Sequence, residues 1–176
     1  MTVLEAQRDM RRAYVGGGPG AIVSALVWLA AASAQRNTET ATAFVVLFVG
    51  GLFIFPLSLL VSRVLFRRAK EAAGNPLGMT ALESTIAMIA GLFGAYLFLK
   101  HDEAFVFPFA AIAVGTHYFA FKTVYGDMLF WALGAVITAL GVVQILGHPL
   151  PGGVAPWVAA AELIFGTVLT LRAVRA

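Results

Sequence analysis

Glu162 stands in the middle of the last long apolar stretch of the sequence, about ten residues from either end. A charged side chain near the centre of a bilayer costs roughly 2.5–3.5 kcal/mol on insertion scales, so such residues usually face protein or water. Small residues, which let helices approach closely, share its helical face: Ala155, Ala159, Gly166 and Thr170. We therefore expect this face to point into a helix bundle and to carry the carboxyl with it.

Glu83 and His117 lie less deep, each close to one end of its own apolar stretch. Both have small neighbours at helical spacing: Ala87, Ala90 and Gly94 after Glu83, and Ala110 and Ala113 before His117. At about 1.5 Å of rise per residue, both side chains lie roughly 7 Å from the inner helix ends and could hydrogen-bond to each other. Glu162 would lie about 7 Å deeper, within reach through bridging waters.

These three side chains have two interpretations. Glu162, Glu83 and His117 could line a path for protons, or a polar cavity open to the cytoplasm. Alternatively, they form buried hydrogen bonds that lock helices together, and the two shallower side chains reach out to the membrane interface.

Arrangements typical of enzymes and metal sites are missing from the sequence. The chain has no cysteine, which excludes disulfides and thiolate chemistry. It contains neither Gly-x-Ser-x-Gly nor His-Glu-x-x-His, and His117 is the one histidine inside an apolar stretch. We therefore predict no catalytic residue, no metal site and no cofactor.

Composition places the chain in a membrane. Hydrophobic residues make up 60% of it and charged residues 12%, against about 45–50% and about 25% in soluble domains. The basic residues flank the apolar stretches, so the net charge of +3 indicates membrane topology rather than a nucleic-acid partner. The lipid bilayer is the expected partner.

The apolar stretches predict one all-α membrane domain over residues 1–176, a bundle of about six transmembrane helices. Short connections make successive helices antiparallel neighbours. The predicted spans cover residues 19–34, 41–66, 79–99, 104–121, 127–146 and 153–172.

Basic residues set the predicted orientation, with both termini in the cytoplasm. Only two cations, Arg36 and Lys100, then lie outside. Ten lie inside: Arg8, Arg11, Arg12, Arg63, Arg67, Arg68, Lys70, Lys122, Arg172 and Arg175.

Residues 2–14 predict a short amphipathic helix before the first span. Thr2 and Glu5 have the spacing of a capping box. Val3, Ala6, Met10 and Ala13 fall on one face. Such a helix would lie on the inner membrane surface; the alternative is a frayed tail.

Three short motifs resemble an uncharacterised family of small bacterial polytopic membrane proteins, a domain of unknown function. They are the Phe55-Pro56 pair, the segment Asn75-Pro76-Leu77-Gly78, and Gly115-Thr116-His117-Tyr118-Phe119 leading to Tyr125-Gly126. The resemblance covers about residues 50–146. It implies a protein of the bacterial inner membrane and brings no activity, cofactor or site residue.

The leading functional hypothesis is a small transporter or channel for a small molecule, an ion or protons. Glu162, Glu83 and His117 would line its path. A second hypothesis is a non-catalytic interaction or accessory protein, with a second copy or another membrane protein as partner. A third is a lipid-modifying enzyme using Glu83 and His117 at the inner headgroup level, which the lack of a nucleophile or metal set disfavours.

Overall fold

The computed structural model describes residues 1–175, which contain seven α-helices and no strand. The last residue of the predicted domain 1–176, Ala176, lies outside the described part. The helices are α1 (Val3–Ala13), α2 (Gly18–Asn37), α3 (Thr40–Leu60), α4 (Leu77–Leu97), α5 (Val106–Tyr125), α6 (Leu129–Ile145) and α7 (Ala155–Arg175). Short 3₁₀ turns cover Val15–Gly17, Phe98–Lys100 and Glu103–Phe105, and a π-helical turn, Val61–Leu65, continues α3.

Five helical segments are long and apolar enough to cross a membrane, which confirms the all-α membrane class. They are Val15–Asn37, Thr40–Leu65, Leu77–Lys100, Glu103–Tyr125 and Ala155–Arg175. The predicted span 127–146 forms the shorter helix α6, which is apolar and has 17 residues.

The first span is longer than predicted, because the apolar stretch covers only residues 19–34 but the helix ends at Asn37. Its helix continues to Asn37 because polar side chains satisfy the backbone of the last turn. Asn37 donates to the Ser33 carbonyl at 2.7 Å, and the Thr38 hydroxyl donates to the Ala34 carbonyl at 2.8 Å.

The bundle consists of two groups of three helices. In the first half, α2 packs along both α3 and α7; in the second half, α5 packs along both α4 and α6. The halves meet where α6 packs against α7 and where side chains of α2, α5 and α7 come together. The end of the bundle that carries α1, the beginning of α4 and the ends of α5 and α7 is called the α1 end below.

Glycines allow the closest helix crossing within each half. A Cβ at Gly18 of α2 would lie 2.6 Å from the carbonyl oxygen of Gly166 in α7. A Cβ at Gly115 of α5 would lie 3.0 Å from the carbonyl oxygen of Gly134 in α6. Small residues let the helix backbones touch at these points, which makes the α2–α7 and α5–α6 pairs the tightest parts of the bundle.

Candidate functional site

Glu162 lies on the packed face of α7 and is 0% exposed. Ala155, Ala159 and Gly166 are buried beside it, and Thr170 is half-buried. The prediction that the small residues of this helix turn Glu162 into the bundle is therefore confirmed.

One oxygen of the Glu162 carboxyl accepts two hydrogen bonds. The Ser24 hydroxyl of α2 and the Tyr118 hydroxyl of α5 both donate to Oε1, each at 2.8 Å. The other oxygen, Oε2, is buried and has no hydrogen-bond partner among the described residues. Because Ser24 and Glu162 belong to the first half and Tyr118 to the second, Oε1 links the two halves of the bundle.

Buried aromatic side chains lie on the same helix faces as Ser24 and Tyr118, the two partners of Glu162. Trp28 lies one turn beyond Ser24, is 1% exposed, and packs edge-on against Phe107 at 6.3 Å. The Tyr118 ring stacks on the ring of Phe130 at 6.2 Å. The carboxyl therefore sits in a closed site of low polarity, where electrostatic interactions are stronger than in water.

His117 turns away from Glu162 and faces α4. Its Nδ1 lies 2.7 Å from the Ser84 hydroxyl, which also lies 3.1 Å from the His117 carbonyl oxygen. A serine has one proton, so both contacts are satisfied when Nδ1 donates to the hydroxyl and the hydroxyl donates to the carbonyl. The pair borders a groove of about 270 Å³ between α4 and α5, lined also by Ala87, Met88, Gly91, Ala113 and Thr116.

Glu83 is exposed on the outer surface of α4 and makes no hydrogen bond or ion pair within the described chain. The hydrogen bond expected between Glu83 and His117 is not formed, because Ser84 occupies the bundle-facing position of that helical turn. The three predicted residues thus do not share one cavity. Glu162 is enclosed, His117 lies at the contact between α4 and α5, and Glu83 faces outward.

Sequence reasoning missed Ser24 and Tyr118, the two direct partners of Glu162. Both side chains are uncharged, whereas the sequence predictions depended on the cost of burying a charge, which applies to ionisable side chains. Ser24 lies on one helical face with the small residues Ala21 and Ala25 and with Trp28. This pattern of small residues indicates that the face packs against another helix and that Ser24 is buried with it.

Residues 3–172 match the family of unknown function DUF7010. The chain belongs to this family. The predicted resemblance to a domain of unknown function is confirmed, and the match extends well beyond residues 50–146. No curated protein and no solved structure matches the chain.

The N-terminal helix of this DUF7010 protein closes the α1 end of the bundle. It begins with the predicted capping box between Thr2 and Glu5. Ala6, Met10 and Ala13 are at most 3% exposed. The apolar face of α1 is thus buried largely against protein, and only its first turn presents apolar side chains to the surroundings.

One edge of α1 is held by α5. Gln7 Nε2 donates to the Thr123 carbonyl at 2.8 Å, and the Arg11 guanidinium donates to the Tyr125 carbonyl. The backbone carbonyls at a helix end have no partner within the helix. Two side chains of α1 therefore complete the last turn of α5.

The other edge of α1 is held by the segment before α4. Asn75, from the Asn-Pro-Leu-Gly motif, donates to Asp9 Oδ2 at 2.9 Å and to the Ala6 carbonyl at 3.1 Å. Partial burial acts to raise the pKa of Asp9, but hydrogen bonds from Asn75, Arg12 and the Ala72 N–H together lower it below its usual range. The Asp9 carboxylate is therefore charged at neutral pH and keeps these donors.

A second hollow, of about 630 Å³, opens at the α1 end between α6 and α7. Asp127 accepts from the Leu129 N–H at 2.9 Å, as expected of a residue that caps α6, and pairs with Arg172 at 3.3 Å. No group of three or more potential metal ligands occurs in residues 1–175.

Proposed function

We propose that this protein is a small membrane transporter or channel in which Glu162 takes up and releases a proton, with a small molecule or ion as cargo. The observation that carries the proposal is the position of its carboxyl. It is completely enclosed, one oxygen connects the two halves of the bundle, and the other oxygen has no hydrogen-bond partner within residues 1–175. A buried polar atom without a partner is rare in folded proteins, and function is one reason to keep one.

We further propose that α2 to α7 all cross the bacterial cytoplasmic membrane, with α6 as the sixth span and both termini in the cytoplasm. The distribution of basic residues supports this orientation, because ten lie at the α1 end and only Arg36 and Lys100 at the opposite end. The α1 end would then face the cytoplasm.

The chemistry of the carboxyl supports coupling between proton binding and movement of the helices. A protonated carboxyl donates one hydrogen bond and needs an acceptor for it. Oε2 has none in this packing, so a proton on that oxygen favours an arrangement that supplies water, cargo or another acceptor. Many transporters bind their cargo between two halves that rock against each other, near the middle of the membrane. Glu162 also lies between two halves, which supports a proton site there.

Flux measurements in liposomes test the proposal. The purified protein is reconstituted with a pH-sensitive dye inside, and proton flux is followed after a pH gradient is imposed. We expect Glu162→Gln to abolish the flux while the protein stays folded, because glutamine keeps a hydrogen-bond acceptor but cannot release a proton. Glu103→Gln is the matched control, since Glu103 is exposed in the loop before α5. Equal flux from wild type and Glu162→Gln would show that Glu162 has no such role.

A non-catalytic interaction or accessory protein is the second candidate, favoured by the tight enclosure of Glu162. Neither of the two hollows described above is lined by this residue, so the carboxyl could serve purely to hold α2, α5 and α7 together. Absence of flux from the wild type, together with co-purification of one fixed membrane partner, would favour this role. Glu83 and His117 do not meet, so the geometry gives no support to a lipid-modifying enzyme.

A further inference from the structure

We propose that α1 and the connector after it, residues 14–17, form a lid over the route from the α1 end to Glu162. Opening of the site would require α1 to lift away from α5. The role of the lid rests on the proposed function of Glu162, whereas its ability to open can be measured without any transport assay.

A continuous column of aromatic rings joins Glu162 to the α1 end. The Tyr118 hydroxyl contacts the carboxyl at 2.8 Å, and its ring stacks on Phe130 at 6.2 Å. Phe130 in turn stacks on Tyr125, the last residue of α5, at 5.2 Å. This column marks a direct route from the α1 end to the carboxyl.

The connector lies directly against the end of the column. A Cβ at Gly17 would lie 2.8 Å from Tyr125 Cε2 and 2.9 Å from Phe130 Cζ. On its other side, a Cβ at Gly16 would lie 3.1 Å from the Ala173 Cβ of α7. The backbone of the connector thus fills the space between α7 and the rings, with no room for water between them.

Besides its buried apolar face, α1 is held in place by polar contacts that can be exchanged for water. The Gln7 and Arg11 bonds to α5 are made by side chains at an exposed or half-buried edge. Tyr14, at the beginning of the connector, donates to Glu71 at 2.9 Å. Net gains from such bonds are small, because water replaces the lost partners when the helix lifts.

The connector is also strained in the closed position. Val15 has a φ of +50°, followed by +65° at Gly16 and +76° at Gly17. Glycine adopts these left-handed angles readily, whereas a β-branched residue does so only when its surroundings impose them. Val15 is 0% exposed, so packing of the closed lid imposes its conformation. Lifting α1 would relieve this strain. The strain therefore lowers the free energy that is needed to move the connector from the closed to the open position.

Cysteine labelling tests the lid, because the natural chain has no cysteine to interfere. Ser24→Cys places a thiol next to Glu162, and a water-soluble thiol reagent is added to the protein in nanodiscs, where both membrane faces are accessible. The labelling rate is compared between this parent and a version carrying Gln7→Ala and Arg11→Ala. Arg8→Ala is the matched control, since Arg8 is exposed on the same helix. We expect an acceleration on the order of tenfold in the double variant, from the loss of two hydrogen bonds, and none in the control.

A second buried position separates lid opening from general loosening. Ala43 of α3 is 0% exposed and lies near the opposite end of the bundle, so Ala43→Cys must stay unlabelled in every background. Asp9→Ala, which frees the other edge of α1, must accelerate labelling of Ser24→Cys as well. If the labelling rate of Ser24→Cys is the same in the parent and in the α1 variants, the lid proposal is wrong. It is also wrong if the α1 variants accelerate labelling of Ala43→Cys to the same extent.

The same measurements keep the two proposals apart. Faster labelling at Ser24→Cys, together with no proton flux through the wild-type protein, would support the lid and contradict the transport function. Flux that depends on Glu162 without a change in labelling would contradict only the lid.

Discussion

The Glu162 site and the His117–Ser84 pair both place polar groups inside apolar helices, but they connect different parts of the molecule. Glu162 receives bonds from α2 and α5 and thereby joins the two halves of the bundle. His117 and Ser84 join α5 to α4, two neighbours within one half, and they border an open groove. A polar group between halves can respond to their relative movement, whereas one within a half stabilises that half alone.

The largest expected effect is on stability after Glu162→Leu. This change leaves the hydroxyls of Ser24 and Tyr118 buried without an acceptor, at about 1–3 kcal/mol for each unsatisfied group. We expect a loss of about 2–6 kcal/mol in the free energy of unfolding, measured by denaturant titration in mixed micelles. Glu162→Gln keeps the acceptor oxygen for Ser24 and Tyr118 but puts an amide N–H2 group without an acceptor at the Oε2 position, so we expect a smaller loss of about 1–2 kcal/mol. Equal stability of the leucine variant and the wild type would mean that the bonds between the halves contribute little.

The second largest expected effect is a loss of stability when the α2–α7 crossing beside Glu162 is forced apart. A Cβ at Gly166 would lie 3.0 Å from Ala21 Cβ and 3.0 Å from the Gly18 carbonyl oxygen. Gly166→Val should therefore push α7 away from α2 and cost about 1–3 kcal/mol, seen as a lower unfolding midpoint. Gly94→Val on α4 is the control, because no atom of the described part of the chain lies within 4 Å of the Cβ position there. A similar loss in both variants would show that the α2–α7 crossing is not special.

Ser84→Ala tests the pair within the second half. It removes the hydroxyl that contacts both His117 Nδ1 and the His117 carbonyl, at an expected cost of about 1 kcal/mol. Combined with Glu162→Gln, the two losses should add within about 0.5 kcal/mol, because the residues share no partner. A larger coupling energy in this double-mutant cycle would show that the two sites act together.

The smallest effect is expected for Glu83→Gln. Glu83 is exposed and unbonded within the described chain, so the free energy of unfolding should change by less than about 0.5 kcal/mol. A loss as large as that of Ser84→Ala, measured in the same titration, would place Glu83 in a stabilising contact.

The course of α7 shows where sequence reasoning succeeds. Small residues at helical spacing around Glu162 predicted a buried face, because only small side chains permit a close helix crossing. In α4 the same reasoning fails, since Ala87, Ala90 and Gly94 follow Glu83 at the same spacing but are largely exposed or half-buried. Both faces of α4 carry small side chains, so the sequence does not reveal which face meets α5.

The position of α1 and the ends of α6 could be predicted from the sequence only in part. The amphipathic pattern of residues 2–14 predicted the helix and its cap, but the position of α1 depends on Asn75 and on the last carbonyls of α5. In α6, Asp127 caps the beginning of the helix and the backbone reverses at Gly147, with a φ of +86°. These ends shorten the predicted span 127–146 to Leu129–Ile145.

The shortness of α6 has a consequence for the surrounding lipid. At about 1.5 Å per residue, its 17 residues reach about 26 Å, whereas the hydrocarbon core of a typical bilayer is about 30 Å thick. In the proposed six-span topology, acyl chains beside α6 must compress while those beside the longer α3 need not. Hydrophobic mismatch would then thin the bilayer on one side of the protein, and short-chain lipids should gather there.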